Sequence, residues 1–89
     1  MYGLFSRKSA EEKIQKVVKK DAKTAEILDK KISEIRQDPY KFKPLRVPMH
    51  GYRRVHIGKS YVLTYSIDEQ NKIVIIEDYD HHDNVYRKK

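Results

Sequence analysis

Two of the four histidines of this chain lie near its end, in the stretch DYDHHDNVYRKK of residues 78 to 89, together with other side chains that could carry out acid–base chemistry. His81 and His82 are adjacent, acidic residues stand on both sides of them, and Tyr86 follows. Histidine changes its charge near neutral pH, so it can be the acid or the base of a proton transfer. RNA cleavage without a metal ion needs both, because a base takes the ribose 2′-OH proton and an acid protonates the leaving 5′-oxygen.

Metal binding is the alternative use of the same stretch. The possible ligands are Asp78, Asp80, His81, His82 and Asp83, and two histidines with a carboxylate form a known type of metal site. Adjacent histidines in an extended chain point in opposite directions, however, and there is no HxH, HxxxH or cysteine partner to complete a tetrahedral set. We therefore expect neither a metal ion nor a cofactor.

The positive charge of the chain is concentrated in its middle. The net charge is +7, from 20 basic against 13 acidic side chains, and no acidic residue occurs between Tyr40 and Ile67. The cations of this stretch are Lys41, Lys43, Arg46, Arg53, Arg54 and Lys59, and His50 and His56 accompany them. Such side chains could hold RNA phosphates, and Tyr52 could stack on a base. Alternatively, the charges only keep a small domain soluble.

Length and composition exclude several classes of protein. A chain of 89 residues is long enough for one small domain, and with no cysteine it has neither a disulfide framework nor a thiolate nucleophile. Its longest aliphatic run, Ile73 to Ile76, is far shorter than the roughly 20 apolar residues of a membrane span. We expect a cytoplasmic protein without membrane contact.

The first half of the chain has helical periodicity. MYGLF can form a short opening strand, and Ser9, three residues before Glu12, has the spacing of a capping box that would begin a first helix. A second helix is predicted from about Asp21 to Gln37, where apolar residues recur every three or four positions. It ends before Pro39, because the residue preceding a proline avoids helical backbone angles.

The second half alternates with the period of strands. YRRVHIG, SYVLTYSI and KIVIIEDY are predicted strands, the first two joined by a turn at residues 58 to 60 and the third placed centrally in the sheet. In the first of them, Tyr52, Arg54 and His56 share one face, and Arg53 lies on the other. The sequence thus predicts an α+β fold, with an N-terminal helical hairpin packed on a twisted antiparallel sheet.

The order of these features resembles the RelE/ParE toxin superfamily over nearly the whole chain. YRRVHIGKSYVLTYSI is similar to the Tyr-Arg-x-Arg-x-Gly-x-Tyr-x-x-x-Tyr hairpin of that family, and DYDHHDNVY to its terminal His-Arg-x-x-x-Tyr element. The resemblance implies a microbial toxin paired with an acidic antitoxin. In the RelE-like branch it also implies ribosome-dependent cleavage of mRNA, which inhibits translation.

The family motif can be carried over residue by residue. Arg54 resembles its first arginine, His56 stands in place of the second, His81 resembles the terminal histidine and Tyr86 the closing tyrosine. We therefore predict catalysis by His81, His82, Tyr86 and Arg54, and RNA binding by Arg53, His56, Lys41, Lys43, Arg46, Lys59 and Tyr52.

Two departures from the motif leave the function open. Val62 follows Tyr61 where the family often has an arginine, and His82 occupies a position that is often arginine too. Three hypotheses remain: a RelE-like endoribonuclease, a ParE-like toxin that obstructs a protein target such as DNA gyrase, and an inactive interaction module. The adjacent histidines favour the first, because a protein that only binds its target has no need of proton-transfer groups.

Overall fold

A computed structural model describes residues 1–45 and 51–87, with side chains as far as Val85. The elements are β1 (Gly3–Ser6), α1 (Lys8–Lys20), α2 (Ala22–Gln37), β2 (Tyr52–Ile57), β3 (Tyr61–Asp68), β4 (Ile73–His81) and α3 (His82–Arg87). The four strands form one sheet in the order β1-β4-β3-β2. Within these ranges, no helix is long and apolar enough to span a membrane.

The predicted α+β class is confirmed, and β4 is a central strand as expected. The sheet is mixed, however, because β1 pairs with β4 in parallel, with Gly3 opposite Ile73. The other two pairings are antiparallel. The helical hairpin between β1 and the later strands lets the chain return in the parallel direction, since such pairings need a long crossover.

The two long helices begin differently. The capping box predicted at Ser9 is wrong: α1 begins at Lys8, its N-cap is Arg7, and that side chain makes no capping hydrogen bond. In α2 the N-cap is Asp21, whose carboxylate accepts hydrogen bonds from the amides of Lys23 at 3.1 Å and Thr24 at 3.2 Å. These bonds satisfy amides that have no partner within the helix.

The core lies between the helical hairpin and one face of the sheet, which we call the inner face. Its buried side chains are Ala10 from α1, Leu28 and Ile35 from α2, Val55 and Ile57 from β2, Leu63 and Tyr65 from β3, and Val74, Ile76 and Tyr79 from β4. The helical residues recur at the spacing of one helix face. The sheet residues, by contrast, do not alternate evenly along β4.

That irregularity is a β-bulge in β4. Thr64 pairs with Asp78 and Tyr65 pairs with Ile76, so the register skips Glu77. An extra residue in one strand reverses which side chains of that strand point inward. Ile76 is therefore inward before the bulge, and Tyr79 is inward after it.

The opposite face, here called the outer face, is covered at one end by α3. Val62 and Thr64 point to this face from β3, and they are 0 % and 1 % exposed. Val85 of α3 is 3 % exposed, and α3 packs against both β3 and β4. The short terminal helix thus closes a small second core on the outer face.

Buried and surface tyrosines hold the segment that follows α2. The Tyr65 hydroxyl donates a buried hydrogen bond to the Pro39 carbonyl at 2.6 Å, and burial raises the pKa of Tyr65 to about 12. Nearby, the hydroxyls of Tyr2 and Tyr40 donate to the Glu69 carboxylate at 2.8 and 2.6 Å. Glu69 therefore connects β1, the segment after α2 and the β3–β4 turn.

The Glu69 contacts predict a defined dependence of stability on pH. Hydrogen bonds from Lys72, Tyr40 and Tyr2 lower the pKa of Glu69 from 4.5 to about 2. The stabilisation from its charge is complete above pH 4.5 and is lost as the pH falls through 2. The melting temperature of wild type should thus fall more steeply across this window than that of Glu69→Gln, whereas Glu12→Gln, at an exposed site on α1, should follow wild type. Equal slopes for wild type and Glu69→Gln would contradict this role.

The burial of Val62 predicts the effect of restoring the arginine that the family often has there. Val62→Arg places a charge in the core under α3, which should lower the free energy of unfolding by roughly 3 kcal/mol and detach α3. Val18→Arg on α1 is the matched control, because Val18 is 41 % exposed and its replacement should cost less than about 0.5 kcal/mol. Urea denaturation of both variants measures the difference. A Val62→Arg protein as stable as wild type would show that α3 does not seal this face.

Candidate functional site

The junction between β4 and α3 is organised by Asp80. Its Oδ1 accepts hydrogen bonds from the His81 amide at 2.8 Å and from Asn84 Nδ2 at 3.0 Å, and its Oδ2 lies 3.3 Å from Lys13 Nζ. Burial alone would raise the pKa of Asp80, but the bonds from Asn84, His81 and Lys13 outweigh it and lower that pKa. Asp80 is therefore held as a carboxylate that joins α1, β4 and α3.

The turn at this junction brings the two histidine rings together. The His82 amide donates to the Ser60 carbonyl at 2.8 Å, which adds a hydrogen bond to the ladder between β3 and β4 just before the chain enters α3. The rings of His81 and His82 then stack, with centroids 4.6 Å apart and planes at 28°. The expectation that they point in opposite directions is wrong, because the chain is no longer extended at His82.

Asp83 distinguishes the two histidines. Its amide donates to His81 Nδ1 at 3.2 Å, so that nitrogen is an acceptor and the ring hydrogen of neutral His81 is on Nε2. His82 Nδ1 lies 3.0 Å from Asp83 Oδ1. A carboxylate at this distance favours a proton on Nδ1, which leaves the lone pair of His82 Nε2 available as a base.

The same three residues have the types and spacing to hold a divalent ion. One ligand atom each from His81, His82 and Asp83 lies within 4.8 Å of the other two. Imidazole with carboxylate suits several transition metals. The geometric reason for excluding a metal is thus removed, and the absence of a bound ion stays a prediction.

Aromatic rings continue the histidine stack along the inner face. Tyr61 lies against His81 in an edge-to-face contact at 5.6 Å, and it stacks on Tyr79 at 5.1 Å. Tyr79 is in the core, and burial raises its pKa. Tyr61 is 42 % exposed. An accessible aromatic face therefore stands beside His81.

The register divides the predicted catalytic residues between the two faces of the sheet. Arg54 pairs with Thr64, and Thr64 pairs with Asp78, which places Arg54 on the outer face. His81 pairs with Tyr61 and belongs to the inner side. The structure therefore does not bring Arg54 and His81 onto one face, although both were predicted to act at one phosphate.

The outer face also carries more acidic groups than expected. A cavity of about 320 Å³ lies there, and its lining comprises Ser9, Lys13, Tyr52, Thr64, Glu77, Asp78 and Val85. Lys13 Nζ contacts Asp78 Oδ1 at 2.9 Å, and Arg7 Nε contacts Glu77 Oε1 at 3.0 Å. These cations are already engaged by carboxylates, which makes the cavity a poor place for a phosphate.

Several predicted RNA-binding residues make contacts within the protein. Arg53 donates from Nη1 to the Phe42 carbonyl at 2.7 Å and lies over the Tyr40 ring at 5.2 Å. Lys41 Nζ is 3.1 Å from Glu34 Oε1. Lys43, His56 and Lys59 are exposed, and Tyr52 is half-buried on the outer face. Arg46, His50 and the side chain of Tyr86 lie outside the described residues, although the backbone of Tyr86 belongs to α3.

Sequence reasoning missed a groove of about 710 Å³ on the other side of this junction. Its lining comprises Lys13, Lys16, Val17, Lys20, Asp21, Thr24, Ile57, Gly58, Lys59, Ser60, Tyr61, Tyr79 and Asp80. The three lysines of α1 follow at intervals of three and four residues, so they share one helix face. That spacing was visible in the sequence, but the approach of the β2–β3 turn to α1 was not. We call this feature the lysine groove.

Comparison with known proteins agrees with this architecture. The family model of the ParE toxin of type II toxin–antitoxin systems matches residues 4–86. The RelE4 protein of Methanocaldococcus jannaschii is 46 % identical over 89 residues, which cover 100 % of this chain and 95 % of that protein.

Two solved structures share the fold at lower identity. The YoeB/ParE toxin from Agrobacterium tumefaciens superposes with a TM-score of 0.83 at 19 % identity, over 90 % of this chain and 98 % of that one. The toxin–antitoxin complex RelBE of E. coli gives 0.78 at 20 % identity, over 91 % and 96 %. The family match over most of the chain and the RelE4 relative decide the classification: this chain belongs to the ParE toxin family of type II toxin–antitoxin systems, within the RelE/ParE superfamily.

Proposed function

We propose that this toxin is a metal-independent endoribonuclease that cleaves mRNA on translating ribosomes in the cytoplasm. The observation that supports it best is the cluster of His81, His82 and Asp83 at the exposed end of β4. Two stacked imidazoles with a shared carboxylate are suited to proton transfer. A toxin that acts only by obstructing a target has no use for them.

The contacts of Asp83 support different roles for the two histidines in this proposal. His82, with Asp83 Oδ1 at 3.0 Å from Nδ1, is the better general base for the 2′-OH proton. His81 carries its hydrogen on Nε2 and can donate it to a phosphate oxygen or, when protonated, to the leaving 5′-oxygen. Asp83 Oδ2 lies 3.7 Å from His81 Nδ1. This ranking places His82 ahead of His81.

The charges around the reacting phosphate are also reassigned. Ser60 contacts the His82 amide, so Lys59 belongs to the turn beside the histidines. Arg54 and His56 lie on the outer face, and we assign them to binding of the ribosome or the antitoxin. Tyr86, four residues after His82 in α3, keeps its proposed role in orienting or stacking on the RNA.

A ParE-like mode of action is the second candidate. It is favoured by the description of the matching family and by Val62, since the position where an arginine is frequent holds a valine buried under α3. Such a toxin would block a protein target such as DNA gyrase and leave mRNA intact. The two modes therefore differ in whether growth arrest is accompanied by mRNA cleavage.

The roles of the histidines predict a graded loss of cleavage. On translating ribosomes, His82→Ala should lower the rate of mRNA cleavage by about 10²- to 10⁴-fold, which is the usual contribution of a general acid–base group. His81→Ala should lower the rate by the same factor or by a smaller one. Lys30→Ala removes an exposed side chain of α2 that has no role in the proposal, and this control should cleave like wild type. Circular dichroism checks that all three remain folded. Growth arrest by wild type with intact mRNA would select the ParE-like mode instead.

The partner in this proposal is a cognate antitoxin with an acidic segment. The E. coli neighbour was solved as a toxin–antitoxin complex, and this chain carries a net charge of +7 with exposed cations at Lys43 and Lys59. Opposite charges on two proteins mainly speed their association. Antitoxin binding therefore has an electrostatic component that added salt screens.

Association kinetics test that component. Association of the antitoxin with Lys43→Gln/Arg54→Gln should be slower than with wild type by roughly tenfold at low salt, and the difference should shrink at high salt. The matched control is Lys8→Gln/Lys30→Gln, which removes the same charge from the helices. Rates that respond neither to salt nor to the first pair of substitutions would show that charge does not recruit the antitoxin.

A further inference from the structure

We propose that the lysine groove is a binding subsite for single-stranded RNA, in which one base stacks on Tyr61 while Lys16, Lys20 and Lys59 hold the neighbouring phosphates. The subsite rests on the proposed function for its substrate, and it adds Lys16 and Lys20, which neither the family motif nor the acid-free segment indicates. It would direct the RNA strand towards the histidines at the end of β4.

The charge of the groove favours an anionic ligand. Four lysines and two aspartates line it, and Lys13 is engaged by the carboxylates of Asp78 and Asp80. Asp21 is also engaged, since its carboxylate caps α2. Lys16, Lys20 and Lys59 are exposed, and none of the ion pairs found among the described residues involves them. Three cations therefore remain for a ligand.

The floor of the groove favours a nucleic acid base. Val17 and Ile57 make it apolar, and Tyr61 and Tyr79 add two stacked rings, of which Tyr61 is exposed. A base that stacks on an aromatic side chain, with the backbone held by cations, is the usual way in which proteins bind single strands. An acidic peptide would satisfy the lysines, but it would not need the exposed face of a tyrosine.

The groove is also continuous with the proposed catalytic cluster. Tyr61 contacts the His81 ring edge-to-face at 5.6 Å. The Asp80 carboxylate, at the groove wall, is engaged by Lys13 and by Asn84 at the start of α3. A nucleotide stacked on Tyr61 would therefore lie next to His81. The outer face offers no comparable path, because its cavity is lined by Glu77 and Asp78.

Binding of a labelled single-stranded RNA of about 12 nucleotides, measured by fluorescence anisotropy without ribosomes, tests the subsite. Lys16→Gln/Lys20→Gln should weaken binding about tenfold or more at low salt and should reduce the slope of log affinity against log salt by about 1.4. Tyr61→Leu keeps an apolar contact with Tyr79 but loses the aromatic face, and it should weaken binding by about 5- to 100-fold. Lys8→Gln/Lys30→Gln removes the same charge away from the groove and should bind within about twofold of wild type, because a small effect is expected of charges outside the contact.

The possible outcomes separate the subsite from the proposed enzyme activity. Weaker RNA binding in both groove variants but not in the control supports the subsite, even if no cleavage is found. Unchanged RNA binding in the groove variants overturns the subsite, and so does a wild-type protein that does not bind RNA. In both of these cases, loss of cleavage in His82→Ala would still support the enzyme proposal. Groove variants that lose antitoxin binding but retain RNA binding would also overturn the subsite, by assigning the groove to the antitoxin.

Discussion

Glu77 is the extra residue of the β-bulge in β4. This bulge decides which side of the sheet every later residue of that strand faces. Before it, Val74 and Ile76 point into the core; after it, Tyr79 and His81 are on the core side and Asp78 and Asp80 on the outer side. Glu77 itself is held by Ser66 Oγ at 2.6 Å and by Arg7 Nε at 3.0 Å. Bulges that re-aim side chains are frequent next to functional sites, and both candidate surfaces of this toxin depend on this one.

Asp80 shows how the fold converts that placement into a rigid site. A carboxylate on the outer side of β4 can reach α1 through Lys13 and α3 through Asn84 at once. These contacts fix the first turn of α3 relative to the sheet. The position of that turn then determines how the rings of His81 and His82 stack. Six residues would not form a stable helix alone, so α3 depends on these contacts and on the burial of Val85.

Much of the fold could be predicted from the sequence, because helical and strand periods are local properties of the chain. The bulge in β4 could not be predicted in this way, because residues 73 to 76 are all apolar and their order alone does not show which of them point inward. The candidate site was harder to predict. The faces of Arg54 and His81 depend on the register across three strands, and the ring stack depends on where a short helix begins. The lysine groove combines side chains that are distant in sequence, such as Lys16 of α1 and Lys59 of the β2–β3 turn.

The parallel pairing of β1 with β4 has a consequence for the order of folding. β1 pairs with a strand 70 residues later in the sequence, with Gly3 opposite Ile73. That strand, β4, is also one of the two central strands of the sheet. Contacts so distant along the chain form slowly, and a chain synthesised from its N-terminus cannot make them until nearly all of it has emerged. The sheet is therefore completed late, and the His81–His82 cluster cannot be in place before β4, at whose end it lies, has joined its neighbours.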